Sequence, residues 1–316
     1  MQVGDQTKVD ELMEQLREKY AAGGQNLEAY LEGLLYQDYL NYWDYIHTDT
    51  LLSLQVSRTH YPDEQIFIIY HQISELNFKM ILSELKQIAD MLEPSQEEIL
   101  VRLQRINRYM ALLVNSFDVM AQGMDPKQFM RFRLALLPAS GFQSAQFRMI
   151  EIASTDVLNL IPKANQDRVN GSLGTSQLFD LLYWQYGATE LGSGKKTLTL
   201  QLFEAKYAHT LQGHMEQYAS NNLRQQYRKA CLGQDLLEGL RQELRHFDLL
   251  MNVEWRLVHL RSASKYLHKA PGPAVPATGG TNWKEYLPPN FQSNHFFPEL
   301  WSTEEKEKWG TFDLEK

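Results

Sequence analysis

The stretch that decides the fold is residues 63–92, DEQIFIIYHQISELNFKMILSELKQIADML. Its apolar side chains recur at steps of three and four residues, which is the period of an α-helix. One stripe consists of Ile66, Ile69, Ile73, Leu76 and Met80, and a second apolar set consists of Phe67, Phe78, Leu82 and Leu85. A helix that is apolar on more than one face has to be enclosed, so the pattern predicts a central helix. The helix is predicted to begin at about residue 63, because proline is favoured near the first turn and the acidic side chains of Asp63 and Glu64 complement the helix dipole there.

Helical periodicity also dominates the rest of the chain. A long helix is predicted to begin at Ser95, and another is predicted from Gln234 to about Lys269. The segment 270–289, APGPAVPATGGTNWKEYLPP, is a Pro- and Gly-rich loop of the length that is usually functional or disordered. The sequence therefore predicts an all-α fold, a large bundle of long helices with a Gly/Pro-rich lid loop.

The domain organisation is predicted to be simple. Residues 1–316 show no internal repeat and no β-rich region, which favours a single helical domain. Within residues 1–30 a helical stripe is formed by Val9, Leu12, Met13, Leu16 and Tyr20. Such an amphipathic arm needs a surface to cover it, so we expect it to make subunit contacts.

Composition excludes several classes of function. The net charge is −8 without a Lys/Arg stripe, which argues against nucleic acid as a partner. The single cysteine, Cys231, excludes an intrachain disulfide and any site built from several cysteines. No run of eighteen apolar residues occurs, and the N-terminal sequence lacks the apolar core of a signal peptide. We expect a cytoplasmic protein without a membrane partner.

Two of the nine histidines stand in an unusual context. His71 follows Phe67 by four residues and His259 follows Trp255 by four, so each imidazole shares a helix face with an aromatic ring. Each could be a core histidine bonded to a neighbouring carbonyl or carboxylate, and periodicity alone favours that interpretation. Alternatively, two imidazoles from different helices could flank a flat cofactor such as haem, with one of them as axial ligand.

Arg133 and Thr278 are the next candidates. An arginine can hold a carboxylate through two parallel hydrogen bonds, although a salt bridge to a surface acid is the commoner role. The sequence TGG at residues 278–280 fits either a mobile lid or a plain turn.

Taken together, several motifs resemble the tryptophan 2,3-dioxygenase family. They are YWDYIHTDTLLSLQ, DEQIFIIYHQISELNFK, RFRLALLPASGFQSAQFR, WRLVHLR, ATGGT and FFPELW, in this order over roughly residues 35 to 301. The resemblance implies a cytoplasmic homotetramer that contains haem b and uses O₂ as co-substrate. It also implies insertion of O₂ across the indole C2–C3 bond of L-tryptophan, giving N-formylkynurenine in the first step of the kynurenine pathway.

The resemblance also implies a role for five residues at the centre of the site. His259 matches the axial ligand of the haem iron, and His71 matches the distal histidine near the indole N–H. Phe67 matches the aromatic residue that packs on the indole. Arg133 matches the arginine that holds the substrate carboxylate, and Thr278 the lid threonine at the polar end of the amino acid.

Four further residues match positions at the edge of the site. Ser140 matches a serine near a haem propionate, and Phe129 stands at a cofactor-side position that can be tyrosine. Tyr42 and Tyr45 match tyrosines that reach the active site from a neighbouring subunit.

Two other functions stay open at this point. The chain departs from the family pattern at Asn77, where a bulky residue is usual, and in its longer, proline-rich approach to the lid. These departures motivate a related haem enzyme that oxygenates another indole. A non-enzymatic helical interaction protein, with both histidines satisfied in its core, is the third hypothesis.

Overall fold

A computed structural model describes residues 6–169, 173–189, 195–267, 288–289 and 294–311. Over these residues it contains helices and a single isolated bridge, Thr189 to Lys196, but no strand. The predicted all-α fold is confirmed. No helix among the described residues is long and apolar enough to cross a membrane. Thr278 and most of the predicted lid loop lie outside the described residues.

Residues Met1–Leu54 form one compact unit. Its described helices are α1 (Gln6–Ala22), α2 (Leu27–Leu34), α3 (Tyr42–Ile46) and α4 (Thr48–Leu52). None of its described side chains is buried, and the exposed ones include Leu35, Tyr36, Tyr39, Leu40, Tyr42, Trp43 and Tyr45. The single domain over 1–316 and the subunit-contacting arm over 1–30 stay predictions.

The second unit is Gln55–Lys316, and it contains the hydrophobic core. Its helices are α5 (Asp63–Ala89), α6 (Gln96–Ser116), α7 (Asp118–Gln122), α8 (Pro126–Phe132), α9 (Ala145–Ser154), α10 (Lys163–Gln166), α11 (Thr175–Phe179), α12 (Tyr183–Gly187), α13 (Leu198–Gln217), α14 (Leu223–Ala230), α15 (Glu238–Leu249), α16 (Trp255–Leu267) and α17 (Thr303–Glu307). Short 3₁₀ turns cover Arg133–Leu136, Gly141–Gln143, Val157–Leu160 and Pro298–Leu300.

Helix α5 lies at the centre of this unit and packs against both α6 and α9. Its buried face includes Tyr70, Phe78, Ile81, Leu85 and Ile88. The stripe of Ile69, Ile73, Leu76 and Met80 is instead between 40% and 50% exposed. The central helix was predicted correctly, but of its predicted apolar stripe only Ile66 packs against the core.

The ends of the long helices follow from local chemistry. Helix α6 begins after Ser95, as predicted, because the serine side chain accepts a hydrogen bond from the backbone N–H of Glu98. Helix α5 ends at Ala89, where the side chain of Gln226 donates to the carbonyls of Ile88, Ala89 and Met91. Asn221 Nδ2 also donates to the Ala89 carbonyl, so side chains from a distant segment satisfy the carbonyl groups at the end of the helix.

The helix predicted over 234–269 is not a continuous α-helix. It consists of α15, a π-helical turn over Leu250–Glu254, and α16. Apolar periodicity does not reveal such a turn, because a π-turn changes the hydrogen-bond register without interrupting the helix.

Asp248, near the end of α15, connects this helix to residues 296–301 by hydrogen bonds. Its two carboxylate oxygens accept hydrogen bonds from the backbone N–H groups of Phe296 and Phe297 at 2.9 and 3.3 Å. They also accept from Trp301 Nε1 and Asn252 Nδ2 at 2.9 and 2.8 Å. Four donors satisfy an ionised carboxylate that is completely buried.

The stability of the protein should depend on the charge of Asp248. Burial raises the pKa of its carboxyl from 3.8 to about 6, against the four hydrogen bonds, which lower it. The folded state binds the Asp248 proton more tightly than the unfolded state does, so protonation stabilises the fold. This contribution is present below pH 3.8 and is lost as the pH rises through about 6. We expect the free energy of unfolding of the wild type, relative to Asp248→Asn, to fall by about 3 kcal/mol over this window. Urea titrations of both proteins at several pH values measure this difference in the free energy of unfolding. A difference that stays constant or rises with pH would contradict the prediction.

Candidate active site

His71 lies on α5 with a fixed tautomer. Its Nδ1 is 2.7 Å from the carbonyl oxygen of Phe67. Because a carbonyl can only accept, Nδ1 carries the proton and the neutral ring has its lone pair on Nε2. The ring stands 4.1 Å from the Phe67 ring between centroids, at an angle of 32°.

The surroundings of His71 are those of a recess. Its side chain is accessible to solvent, yet the protein around it removes enough water to lower its pKa. Burial is the largest cause, and the hydrogen bond to Phe67 and the carboxylate of Glu75 oppose it. A poorly hydrated imidazole of this kind is neutral at pH 7, and its side chain stays accessible from solvent.

His259 lies on α16 and repeats this arrangement. Its Nδ1 donates to the carbonyl oxygen of Trp255 at 2.6 Å, which again leaves the lone pair on Nε2. Burial lowers the pKa of His259 to about 4; the hydrogen bond to Trp255 opposes this, and the imidazole of His71 adds to it. The structure thus brings the two imidazoles close together, although they lie on different helices.

Aromatic rings enclose His259. Phe117 and Trp255 each stand 4.4 Å from its ring, and they are 5.5 Å from each other at an angle of 90°. Tyr70 supports Phe117 at 5.8 Å, and its hydroxyl donates to the carbonyl of Leu113 at 2.9 Å. Packing by the Phe117 and Trp255 rings, together with the hydrogen bond at Nδ1, fixes the imidazole plane.

A second aromatic group connects α5, α8 and α16. Phe67 stands 6.4 Å from Phe129 and 5.8 Å from Phe132, both on α8. Phe129 stands 4.6 Å from Tyr266 on α16, whose hydroxyl donates to the carbonyl of Met120 at 2.9 Å. These rings form an apolar wall beside the Phe67–His71 pair.

Arg133 directly follows Phe132 and is only 4% exposed. Burial lowers the pKa of its guanidinium, which nevertheless stays charged at any physiological pH. A cation next to the aromatic wall suits a ligand that has an apolar ring and a carboxylate.

Arg133 is adjacent to Phe132 in sequence, but no described contact joins Arg133 or Ser140 to the two histidines. Ser140 precedes the 3₁₀ turn Gly141–Gln143, and its backbone N–H donates to Gln143 Oε1 at 3.1 Å. Tyr42 and Tyr45 lie on α3 with 73% and 71% of their surface exposed. Thr278 is outside the described residues. Their roles stay predictions.

Asn77 belongs to the interior rather than to the recess. It is buried, and its Nδ2 donates to the carbonyl of Ile73 at 2.9 Å. Six residues of α-helix place it roughly 120° around α5 from His71. It lies on the face of Tyr70, whose hydroxyl bonds to α6. Its departure from the family pattern therefore concerns packing between helices, which weakens the argument for a different indole.

Sequence reasoning missed several residues of the site. Phe117 lies between α6 and α7 and Phe132 ends α8, and nothing in their spacing relates them to His259. Tyr266 could have been found, because it follows His259 by seven residues and so shares its helix face.

Two surface cavities lie elsewhere. One, of about 240 Å³, is lined by residues that include Lys163, His295 and Lys306. The other, of about 220 Å³, is lined by Asp180, Gln185, Tyr186, Thr189 and Lys196. Neither involves the paired histidines, whose geometry is the better guide to chemistry.

The two histidines fit haem on their own geometry. Each imidazole is held at Nδ1 by a carbonyl of its own helix, and no hydrogen bond from a described residue engages either Nε2. Metal-ligating histidines typically have this arrangement, in which the bond at one nitrogen fixes the tautomer and orients the other.

Fold and site together define a class, the helical proteins in which imidazoles from two helices face an aromatic-lined recess. Comparison with known proteins then identifies the family, because the sequence profile described as "Tryptophan 2,3-dioxygenase" matches residues 22–172. The chain belongs to the tryptophan 2,3-dioxygenase family. Membership implies a haem cofactor and O₂ as co-substrate in general.

Relatives of the same name cover most of the chain. The protein of Herpetosiphon aurantiacus is 30% identical over 275 residues, which is 83% of this chain and 96% of the relative. That of Ruegeria sp. (strain TM1040) is 29% identical over 285 residues, 84% of this chain and 92% of the relative. That of Bacillus thuringiensis subsp. konkukian is 27% identical over 284 residues, which is 86% of this chain and 94% of the relative.

Proposed function

We propose that this chain catalyses the reaction of L-tryptophan with O₂ to N-formylkynurenine, the first step of the kynurenine pathway. The indole C2–C3 bond breaks and each of its carbons receives one oxygen atom, so both atoms of O₂ enter the product. Family membership supports the reaction. The observation that carries it in the structure is the pair of neutral imidazoles on α5 and α16.

We assign haem b as the cofactor and His259 as the residue that would hold its iron. When bound, haem supplies a redox-active iron that activates O₂. A pKa of about 4 keeps His259 neutral at pH 7, so its Nε2 lone pair is available to a metal. The hydrogen bond to Trp255 orients the ring and makes Nε2 more basic. Phe129 and Ser140 are assigned to the cofactor's surroundings.

The substrate assignments follow from complementary chemistry. The Phe67 ring packs on the indole, and the accessible Nε2 of His71 accepts a hydrogen bond from the indole N–H. Arg133 supplies the buried charge that holds the carboxylate. The aromatic walls exclude water from the reacting carbons. Thr278 contacts the amino acid's polar end, by resemblance.

One set of measurements tests the proposed function. Purified protein should show a Soret absorption band and should form N-formylkynurenine from L-tryptophan under reducing conditions. With ¹⁸O₂ the product should contain two labelled atoms. A single labelled atom would support a related haem enzyme that transfers one oxygen, and a colourless protein that takes up no added haemin would reject both.

We further propose a cytoplasmic homotetramer in which Tyr42 and Tyr45 reach the site of a neighbouring subunit. Several large apolar side chains of the N-terminal unit, these two among them, are mostly exposed in one chain, and such surfaces mark interaction sites. The one cysteine, Cys231, is unpaired in the structure, which suits a reducing compartment.

The double variant Tyr42→Ala/Tyr45→Ala should lose roughly tenfold or more in kcat/KM, because aromatic contacts dominate such interfaces. The matched control is Tyr39→Ala, which removes a tyrosine of the same segment that is 95% exposed. Steady-state kinetics measures kcat/KM, and light scattering measures the oligomeric state of each variant.

Mixed assemblies test whether the site is shared. Tetramers that combine the double tyrosine variant with Arg133→Ala should regain part of the activity, since some sites then receive both intact parts. No recovery in mixed tetramers, or full activity in a monomer, would contradict a shared site.

A further inference from the structure

The π-turn over Leu250–Glu254 directly precedes the helix that carries His259. A π-turn inserts one residue into a helix, so every later side chain is rotated by about 100° relative to an unbroken α-helix. The side chains of Trp255 and His259 therefore keep their directions only while this turn persists. Local turns of this kind frequently mark functional sites.

A row of buried polar side chains spans the turn. Asn252 Nδ2 donates to Asp248 Oδ1 at 2.8 Å, and Arg256 Nη2 donates to Asn252 Oδ1 at 3.4 Å. Their exposed fractions are 0% for Asp248, 1% for Asn252 and 8% for Arg256. Asn252 alone lies within the π-turn and connects the residues on either side of it.

Both ends of this row are anchored to other parts of the fold. Asp248 accepts hydrogen bonds from the backbone of Phe296 and from Trp301 Nε1. The Arg256 guanidinium lies over the Tyr183 ring at 5.2 Å. The Tyr183 hydroxyl in turn bonds to Glu151 and to Arg148, which form an ion pair at 2.7 Å. These anchors hold the residues before and after the turn at fixed places.

We propose that Asn252 is a positioning residue that holds the π-turn and thereby directs Nε2 of His259 into the recess. An amide is suited to this role because it donates to the carboxylate on one side and accepts from the guanidinium on the other. An apolar residue of the same size would fill the space but leave a buried charge on each side with one hydrogen bond fewer. The inference rests on the proposed function, because His259 has to be the axial ligand for its direction to matter.

Asn252→Leu tests the proposal against a matched control, Asn107→Leu. Asn107 is also a buried asparagine, and its Nδ2 joins α6 to α15 through the backbone and carboxylate of Glu243 at 3.0 and 2.6 Å. It has no described bond to the π-turn. Both variants should lose thermal stability. Haemin titrated into apoprotein should bind roughly 10- to 100-fold more weakly to Asn252→Leu only.

Two further measurements separate positioning from a general loss of stability. In Asn252→Leu the iron–histidine stretching band of the ferrous protein should shift, and amide hydrogen exchange over residues 250–260 of the apoprotein should speed up. In Asn107→Leu both should match the wild type. If Asn252→Leu does not fold, Asn252→Ala removes the same two hydrogen bonds without inserting an apolar side chain, and the same shifts are expected.

Unchanged haemin affinity and an unchanged stretching band in a folded Asn252 variant would overturn the proposal, as would equal losses in the Asn107 control. Failure of the proposed function would look different. In that case the wild type itself would bind no haemin or would form no N-formylkynurenine.

Discussion

His259→Ala should bind haem at least about 100-fold more weakly than the wild type and should form no detectable N-formylkynurenine. The substitution removes the imidazole whose Nε2 lone pair is proposed to bind the iron, and alanine offers no replacement. The fold should persist, because Trp255 and Phe117 still pack against each other at 5.5 Å. Haemin titration followed at the Soret band, with circular dichroism as the check on folding, measures the result.

His214→Ala is the matched control for this prediction. His214 is also a partly buried histidine with a lowered pKa, but its Nε2 is engaged by the carbonyl of Met149 at 3.1 Å. This variant should keep its haem. Added imidazole should restore part of the haem binding of His259→Ala by entering the space the ring has left. Full haem retention and turnover in His259→Ala would reject the ligand assignment.

Arg133→Ala should lose about 2–5 kcal/mol of transition-state stabilisation with L-tryptophan. This corresponds to a fall in kcat/KM of roughly 30-fold to several thousandfold, most of it through KM. The reason is that a desolvated carboxylate would lose its buried cationic partner. Steady-state kinetics of the haem-loaded variant measures the effect.

A substrate without a carboxylate makes this prediction specific. The wild type should use tryptamine poorly, whereas Arg133→Ala should use tryptophan and tryptamine about equally poorly. The neighbouring Arg131→Ala should behave like the wild type, since Arg131 is exposed and lies over the Tyr61 ring at 5.9 Å. An unchanged kcat and KM in Arg133→Ala would reject the assignment of Arg133 to the substrate carboxylate.

The fold class and the starts of α5 and α6 were predictable because they depend on local chemistry, whereas α15 begins at Glu238, four residues after the predicted start at Gln234. Apolar periodicity identified α5, and the Ser95 cap identified the first residue of α6. Periodicity did not tell which apolar face of α5 meets its own chain. Ile73 and Leu76 stay half-exposed, while Tyr70 and Phe78 are buried. Which of these faces is covered depends on the position of α6 and α9.

The candidate site was only partly predictable. His71 and Phe67 share one helix face, so their contact follows from spacing, as does that of His259 with Trp255. The contacts of Phe117 with His259, of Phe132 with Phe67 and of Tyr266 with Phe129 join segments that are distant in sequence. No local pattern relates such residues to each other.

The all-α class and the pairing of each of two histidines with an aromatic ring could be read from the sequence, because these features depend on side chains three to four residues apart. Packing between distant segments sets three further features: the His71 imidazole lies near enough to lower the pKa of His259, Asn77 is buried, and a π-turn precedes His259. The physical reason is that helix packing and the polar row through Asn252 set the direction of each side chain, and both depend on contacts between distant segments.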